Sequence, residues 1–353
     1  MFFGGGVMRY LSVCSGIEAA SVAWHPLGWT PVAFSEIEPF PCALLAHHYP
    51  DVPNWGDLTK FQEWPDAAID LLVGGTPCQS FSVAGLRKGL ADPRGNLALT
   101  YLAVADRYRP EWLVFENVPG LLSADGGEAF GSFLGALAEL GYGFAYRVLD
   151  AQHVRTSDFK GAVPQRRRRL FVVAHLGDWR RAAAVLFNSE SLRRDSSETR
   201  PERFEDADDS ESPASGTWWD GSDTSQTLDA VLHKKQALPE KNRFPAVLVP
   251  AWQPCEMCDE FICNIHHEHA FECDCPPIDE WVEHDIFPYA NTVLRYITPT
   301  EAERLQGFPD DYTQIPFRNK PAADGPRYKA LGNSMAVNVM AWIGSRIQEV
   351  SNG

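Results

Sequence analysis

The 353-residue sequence predicts an α/β fold, a doubly wound sheet of Rossmann-like type with a second, smaller domain inserted into it. Short apolar runs end at turns that lead into helical patterns, which is typical of alternating strands and helices. The periodic pattern stops after Asp178, and recognisable segments resume at Arg295. This length suits one large α/β domain with a smaller companion.

The first strand, turn and helix predict a ligand site. Residues 10–13 read as a strand, Cys14-Ser15-Gly16 as a turn, and Glu18–Trp24 as a helix. Doubly wound folds bind nucleotide-like ligands at such a turn, although an ordinary strand–helix connection has the same pattern. The next strand, 32–35, ends at Glu36, whose carboxylate can accept hydrogen bonds from a ribose.

A cysteine follows the next apolar run, in Gly74-Gly75-Thr76-Pro77-Cys78-Gln79-Ser80-Phe81-Ser82. The run Asp70-Leu71-Leu72-Val73 predicts a buried strand, so Cys78 stands in the loop at the sheet edge. Pro77 fixes its own φ and stiffens this loop. Loops at strand ends often carry chemistry, which favours a functional thiol. A small apolar residue filling a turn is the alternative.

Two later strands carry partners for this thiol. Residues 112–115 predict a buried strand that runs into Glu116, and a basic run leads into the strand 170–174. Side chains alternate along a strand, so Arg167 and Arg169 share one face while Arg166 and Arg168 take the other. One pair can point into a site, and the other meets solvent or phosphate.

These segments together resemble the DNA cytosine-5 methyltransferase family, of prokaryotic or phage type. The resemblance rests on the order and spacing of several motifs, and it covers about residues 9–177 and 295–347. The motifs are Gly74 to Ser82, Glu116-Asn117-Val118, Gln165-Arg166-Arg167-Arg168-Arg169, Arg295 to Glu301, Leu305-Gln306-Gly307-Phe308-Pro309 and Gly332-Asn333-Ser334.

The resemblance implies the chemistry. Carbon 5 of cytosine is a weak nucleophile, and addition of the Cys78 thiolate to carbon 6 makes it reactive. Glu116, with its pKa raised in the closed pocket, would hydrogen-bond to ring nitrogen 3 or protonate it. Arg169 would bind the cytosine carbonyl oxygen, and Arg167 would position Cys78 or the carboxylate. The base must be flipped out of the duplex for this reaction.

The cofactor implied by the resemblance is S-adenosylmethionine. The family usually has an aromatic residue where Cys14 stands and glycines where Glu18 and Ala19 stand, so the first turn departs from the pattern. The residues expected to contact the cofactor are Cys14, Ser15, Gly16, Ile17, Glu36, Ile37, Asp57, Leu58, Gly75, Pro77, Leu97, Asn333 and Ser334.

The predicted domain organisation has three segments. Residues 8–177 form the first part of the catalytic domain, and 178–294 form a target-recognition region with an acidic linker at 189–215. Residues 295–350 carry the last motifs and return to the catalytic domain from about 325. We expect a helix at Thr300–Leu305, begun by Thr300 with Glu303 as its reciprocal cap, and another at Ser334–Ile347.

Five of the eight cysteines crowd into the segment 255–275. Cys-x-x-Cys followed by a second pair predicts a structural zinc site, and a loop merely rich in cysteine and histidine is the alternative. A cytoplasmic location is expected because no signal peptide or membrane-spanning run is evident, and it disfavours disulfides. The preferred ligands are Cys255, Cys258, Cys273 and Cys275, with Cys263, His266 and His269 as substitutes.

The net charge of −16 is unevenly distributed. Residues 252–288 hold ten acids and no Lys or Arg, and 189–212 hold nine acids and four arginines, which leaves about −1 for the rest. The catalytic body can therefore present a basic cleft to double-stranded DNA. We expect a monomer that does not bind membranes and that has a cognate restriction enzyme as a possible partner. Alternatives are a tRNA cytosine-5 methyltransferase and a non-catalytic DNA-binding regulator on this fold.

Overall fold

The computed structural model describes residues 7–77, 97–156, 162–187 and 296–352, and the backbone of strands at 246–250, 252–254, 261–263 and 292–295. Within these ranges the chain forms a six-stranded sheet with helices on both of its faces. No helix in the described ranges is both long enough and apolar enough to cross a bilayer.

The sheet combines a parallel half with an antiparallel edge. Its strands are β1 (Arg9–Val13), β2 (Thr30–Ser35), β3 (Leu71–Gly74), β4 (Trp112–Asn117), β5 (Tyr142–Asp150) and β6 (Arg168–Leu176), in the order β2-β1-β3-β4-β6-β5. Strands β1 to β4 are parallel, whereas β6 is antiparallel to both β4 and β5. The predicted doubly wound α/β fold is confirmed.

Helices cover the two faces of this sheet. They are α1 (Ala19–Trp24), α2 (Pro39–His48), α3 (Leu97–Tyr108), α4 (Glu128–Glu139), α5 (Trp179–Leu186), α6 (Pro299–Gln306), α7 (Asp324–Asn333) and α8 (Val337–Asn352). Apolar residues of α3 and α4 fill one core, and those of α1, α5 and α8 fill the other. Short 3-10 helices lie at His25–Leu27, Leu58–Glu63, Pro119–Gly127 and Ala151–His153.

The two ends of the described chain meet on one face. Trp24 of α1 is fully buried, and its Nε1 donates a 2.7 Å hydrogen bond to the carbonyl oxygen of Met340 in α8. The predicted packing of the last helix on the sheet is confirmed, because Val337, Ile343 and Ile347 all join this core.

The predicted start of α6 is wrong by two residues. Thr298 is the N-cap, Glu301 completes the capping box, and Pro299 occupies the first turn, where its missing N–H costs nothing. The expected cap Glu303 is instead fully buried, with its Oε1 3.1 Å from Nη2 of Arg327. The helix predicted at Ser334–Ile347 is observed as α8, which begins three residues later at Val337 and extends to Asn352.

Short strands also lie in the predicted target-recognition region. They are β7 (Ala246–Pro250), β8 (Trp252–Pro254), β9 (Phe261–Cys263) and β10 (Thr292–Tyr296), followed after α6 by the small hairpin β11 (Pro316–Phe317) and β12 (Lys320–Pro321). Strand β10 pairs antiparallel with β7, and β8 with β9. The acidic linker 189–215 lies outside the described residues, and the domain boundaries stay predictions.

We predict that Gly344→Ala destabilises the fold because α8 packs too closely on α1 for a Cβ. An added Cβ would lie 2.4 Å from Nε1 of Trp24, and such overpacking costs about 1–3 kcal/mol. Urea unfolding should give the lower free energy of unfolding. Gly131→Ala in α4 is the matched control, because its Cβ would meet no atom within 4 Å. It should raise the stability by about 0.5–1 kcal/mol. Equal effects of the two variants would contradict the packing argument.

Candidate functional site

A buried carboxylate and guanidinium form the centre of the site. Glu116 is the penultimate residue of β4, and Arg169 enters from the start of β6. Arg169 Nε lies 3.1 Å from Glu116 Oε1, and the two side chains are 17% and 15% exposed. Burial raises the pKa of Glu116, while Arg169 and then Arg167 oppose this shift. A carboxyl held in this way can donate or accept a proton.

The loop after β3 closes over this carboxylate. A Cβ on Gly75 would lie 2.7 Å from Glu116 Oε2, so a glycine is required for the loop to approach. Asn117 Nδ2 donates a 2.9 Å hydrogen bond to the carbonyl oxygen of Thr76, which fixes the loop to the end of β4. The description of this loop ends at Pro77, and Cys78 lies outside the described residues.

The four arginines alternate as predicted. Arg167 is buried and Arg169 is mostly buried, whereas Arg166 and Arg168 are exposed. Arg167 Nη2 donates to the carbonyl oxygens of Gly332 (3.1 Å) and Ser334 (2.5 Å). Burial, together with the neighbouring Arg169, lowers the pKa of Arg167 to about 9.

Arg167 therefore contacts a segment that sequence reasoning had linked only to the cofactor. Its backbone N–H also donates to Asp150 Oδ1 at 3.0 Å, so the residue is fixed on both sides. Asn333, which lies between Gly332 and Ser334, is exposed, whereas Ser334 is buried. The bonds join β6 to the end of α7 across more than 160 residues of sequence, and no short motif could have indicated them.

The turn after β1 and the end of β2 form a second cluster. Cys14 and Gly16 both have left-handed backbone conformations, with φ of 50° and 57°. The Gly16 N–H donates a 2.7 Å hydrogen bond to Glu36 Oε2. Glu36 Oε1 accepts hydrogen bonds from the N–H groups of Ile37 and Glu38, both at 2.8 Å. Glu36 thus holds the predicted cofactor turn against β2.

Cys14, Glu36 and Asp57 lie together in this cluster. Burial, followed by the nearby carboxylates of Glu36 and Asp57, raises the pKa of Cys14 to about 12. A neutral thiol of this kind is not an activated nucleophile. Ile37 is 67% exposed beside it, which is unusual for a large apolar side chain and suits a flat apolar ligand.

The other predicted cofactor residues differ in exposure. Ile17 and Leu58 have side chains packed in the two cores, and Ser15 is buried with its N–H bonded to the carbonyl oxygen of Ser35. Leu97 begins α3 and is partly exposed, and Gly75 borders the carboxylate pocket. Ser15 and Gly75 lie in the turns that follow the carboxyl ends of β1 and β3.

Glu18 is a buried carboxyl whose role the sequence reasoning missed. It has φ of 63°, is 1% exposed, and caps α1 by accepting hydrogen bonds from Ser21 N (3.0 Å) and Ser21 Oγ (2.5 Å). Burial raises its pKa. The signal was its position in the first turn, where the resemblance expects a glycine.

Tyrosines extend the Glu18 cluster towards the C-terminal segment. Tyr10 OH bonds Ser21 Oγ at 2.7 Å, and Tyr312 OH donates to the carbonyl oxygen of Ile17 at 2.9 Å. Tyr49 OH lies 3.3 Å from Tyr312 OH. Buried hydroxyl groups therefore stabilise the turn after β1.

Most of the predicted zinc ligands lie outside the described residues, namely Cys255, Cys258, Cys273, Cys275, His266 and His269; Cys263 is described only as the backbone end of β9. Among the residues whose side chains the structure describes, no three His, Cys, Asp or Glu side chains are grouped to hold a metal. This leaves the zinc prediction as it stood.

The mostly parallel sheet, with the antiparallel strand β6 next to β4, has the fold of S-adenosylmethionine-dependent methyltransferases. A family profile described as C-5 cytosine-specific DNA methylase matches residues 8–349. The chain belongs to this family, and the resemblance seen in its motifs is confirmed.

The individual proteins that this chain resembles differ in name. A protein of Escherichia phage P1 named "DNA N-6-adenine-methyltransferase" is 33% identical, and the match covers 96% of this chain but 61% of that protein. Type II methyltransferase M2.BsuMI of Bacillus subtilis is 28% identical over 97% of this chain and 76% of its own length. The structure of S. pombe Dnmt2 methyltransferase has a TM-score of 0.61 at 18% identity, covers 98% and 100% of the two chains, and shows the fold alone.

We predict that Glu18→Gln removes a pH dependence of stability. The pKa of Glu18 is raised in the folded protein above its ordinary 4.5. The folded state therefore keeps a proton that the unfolded state loses, and stability falls as pH rises from about 4.5 through the raised pKa. The slope is at most about 1.4 kcal/mol per pH unit. Urea unfolding at a series of pH values from 4.5 upwards should show a steeper fall in the free energy of unfolding for the wild type than for the variant, and parallel curves would contradict this prediction.

Proposed function

We propose that this protein transfers a methyl group from S-adenosylmethionine to carbon 5 of cytosine in double-stranded DNA. The observation that carries the proposal is the pair of Glu116 and Arg169, 3.1 Å apart, beside the loop that leads into Pro77-Cys78. Family membership supports the same reaction. The match to one relative spans 61% of that protein, so the activity is argued from this chain's own residues.

Cys78 is the proposed nucleophile. Its thiolate adds to carbon 6 of the cytosine ring, and electron density moves onto the ring and towards nitrogen 3. Glu116 in its protonated form donates a hydrogen bond or a proton to nitrogen 3. The raised pKa of Glu116 supports this role, because it keeps the carboxyl protonated at higher pH.

Arg169 and Arg167 have different proposed roles, one in binding the base and one in positioning. Arg169 lies against Glu116 and would bind the cytosine carbonyl oxygen. Arg167 positions the segment around these groups through its bonds to Gly332 and Ser334. After methyl transfer, a base removes the proton from carbon 5, and the carbon–sulfur bond to Cys78 breaks. The target base must leave the duplex to reach these residues.

The residues around Glu36 fit an adenosine. S-adenosylmethionine supplies an electrophilic methyl group on a sulfonium. Exposed Ile37 offers an apolar face for the adenine, and the Glu36 carboxylate, held by backbone N–H groups, lies where a ribose would bind. The remaining proposed contacts are Cys14, Ser15, Gly16, Ile17, Asp57, Leu58, Gly75, Pro77, Leu97, Asn333 and Ser334.

Adenine methylation is the second candidate, because the phage P1 relative is named for it. Attack by an exocyclic amine on a methyl sulfonium needs no covalent thiol intermediate. The loop that leads towards Cys78 approaches the Glu116 carboxyl, whose pKa is raised by burial, and this favours cytosine carbon 5 over adenine. A tRNA substrate and a non-catalytic DNA binder are further alternatives, and the complete set of Cys78, Glu116, Arg167 and Arg169 argues against the binder.

The segment 255–275 is the proposed zinc site. Its Cys-x-x-Cys and Cys-x-Cys pairs are the support, with Cys255, Cys258, Cys273 and Cys275 as ligands. A cognate restriction enzyme is a proposed partner because M2.BsuMI is named a type II methyltransferase. The monomeric state and the cytoplasmic location remain predictions.

We predict that the wild type methylates duplex DNA and that Cys78→Ser abolishes the product. Labelled S-adenosylmethionine measures the transfer, and mass spectrometry of the digested DNA separates 5-methylcytosine from N6-methyladenine. Glu116→Gln should lower kcat by about 10²- to 10⁴-fold, the usual contribution of a general acid. Glu139→Gln, at the exposed end of α4, is the matched control and should retain the wild-type rate. N6-methyladenine as the product, or full activity of Cys78→Ser, would refute the proposed reaction.

We predict about one zinc ion per chain in protein purified without chelator. The double variant Cys255→Ser, Cys258→Ser should lose it, as measured by elemental mass spectrometry. Cys42→Ser is the matched control, because Cys42 lies in α2, outside the segment. A wild type without zinc after expression in zinc-supplemented medium would rule the site out.

A further inference from the structure

A polar groove lies at the outer edge of the sheet, next to the candidate active site. It runs along the end of β5 and the start of β6 and encloses a volume of about 560 Å³. The polar side chains that line it are Arg147, Asp150, Gln152, His153, Arg166 and Arg168. With three arginines and one aspartate, the lining has a formal charge of +2 when His153 is neutral, in a chain with a net charge of −16.

The strand geometry places this groove beside the catalytic groups. Arg168 and Arg169 are consecutive, so their Cα atoms are about 3.8 Å apart, and their side chains leave opposite faces of β6. Arg169 faces Glu116, whereas Arg168 faces the groove. Residue 168 pairs with Asp150, beyond the last residue of β4 that pairs with β6. The groove therefore opens at the same edge of the sheet as the site.

Arg147 and Arg168 of the groove differ from several other described arginines, which pair with carboxylates. Elsewhere, Arg107 pairs with Asp66, and Arg327 pairs with Glu303. Neither Arg147 nor Arg168 forms an ion pair with any carboxylate that the structure describes. Arg147 instead donates to the carbonyl oxygen of Leu186 at 3.0 Å and lies over the ring of Phe187.

The acid in the groove is occupied by internal bonds. Asp150 Oδ1 accepts a hydrogen bond from the backbone N–H of Arg167, and Oδ2 accepts one from Gln152 Nε2 at 2.9 Å. Its carboxylate is thus oriented towards the protein, while the charges of Arg147 and Arg168 are available to a ligand. A cleft with this excess of positive charge attracts anions.

We infer that this groove binds backbone phosphates of the DNA strand that carries the target base. The inference rests on the proposed function. It assigns the arginines of the groove a role in binding DNA, whereas the proposed reaction uses only Arg167 and Arg169. A base that is rotated into the site stays bonded to its own strand, so its neighbouring phosphates must lie close to the carboxyl edge of the sheet. Phosphate contacts of this kind position the duplex and carry no sequence information.

The test is the salt dependence of DNA binding by Arg168→Gln. Loss of one phosphate contact should reduce the slope of log K against log[salt] by about 0.9 and weaken binding about fivefold near 0.15 M salt. The loss should be the same on target and non-target duplexes, and the affinity for S-adenosylmethionine should not change. The double variant Arg147→Gln, Arg168→Gln should lower the slope by about twice as much.

Arg180→Gln is the matched control. Arg180 follows β6 at the opposite edge of the sheet, and its side chain is 77% exposed. This variant should bind DNA with the wild-type slope. Calorimetry with S-adenosylmethionine and thermal unfolding should show that each variant is folded.

The outcomes separate this inference from the proposed function. A wild-type slope in both groove variants, with methylation of DNA by the wild type, would overturn the groove and leave the reaction standing. Failure of the folded wild type to bind or methylate any duplex would overturn both. The expected result is a smaller slope of log K against log[salt] in the groove variants but not in Arg180→Gln. Binding of S-adenosylmethionine should be intact in all of them.

Discussion

The antiparallel register of β4 and β6 is the constraint on which the candidate site depends. It sets Glu116 opposite Phe171 and brings Arg169, two residues earlier on β6, to 3.1 Å from the carboxylate. A lone carboxylate would be costly to bury at this point, and a lone guanidinium equally so. Each group therefore makes the burial of the other tolerable. A shift of one residue would move Arg169 to the groove face and leave Glu116 without its partner.

The same register explains why distant segments must fold together. Arg167 lies on the face of Arg169 and is held by the carbonyl oxygens of Gly332 and Ser334. The C-terminal segment in turn reaches the turn after β1, because Tyr312 binds the Ile17 carbonyl oxygen and Trp24 binds that of Met340. The Glu116 carboxyl, the turn after β1 and the C-terminal segment thus share one buried framework. Substitutions that disrupt the C-terminal helices would therefore disturb the site, although these helices carry no reacting group.

The strands and the alternation of the arginines could be predicted because they follow from local pattern. Apolar runs specify buried strands, and a period of two fixes which of Arg166 to Arg169 face inwards. The cap of α6 was missed because two threonine–glutamate pairs overlap there, and Pro299 favours the earlier one. Glu303 then became available for Arg327, a partner 24 residues away that no local rule identifies. The role of Glu18 was hidden in the same way, since its environment is built by Tyr10, Tyr49 and Tyr312 from three other segments.

A net charge of −16 does not decide whether this chain binds DNA. At physiological salt the Debye length is about 8 Å, so exposed charges farther than this from a phosphate are largely screened. The relevant charge is that of the surface within reach of the target strand. There the outward face of β6 contributes Arg166 and Arg168, and β5 contributes Arg147. The pleat of one strand thus gives the basic run Arg166 to Arg169 two proposed functions. The inward pair is proposed to take part in the reaction, and the outward pair is proposed to supply the local positive charge with which an acidic protein can approach a polyanion.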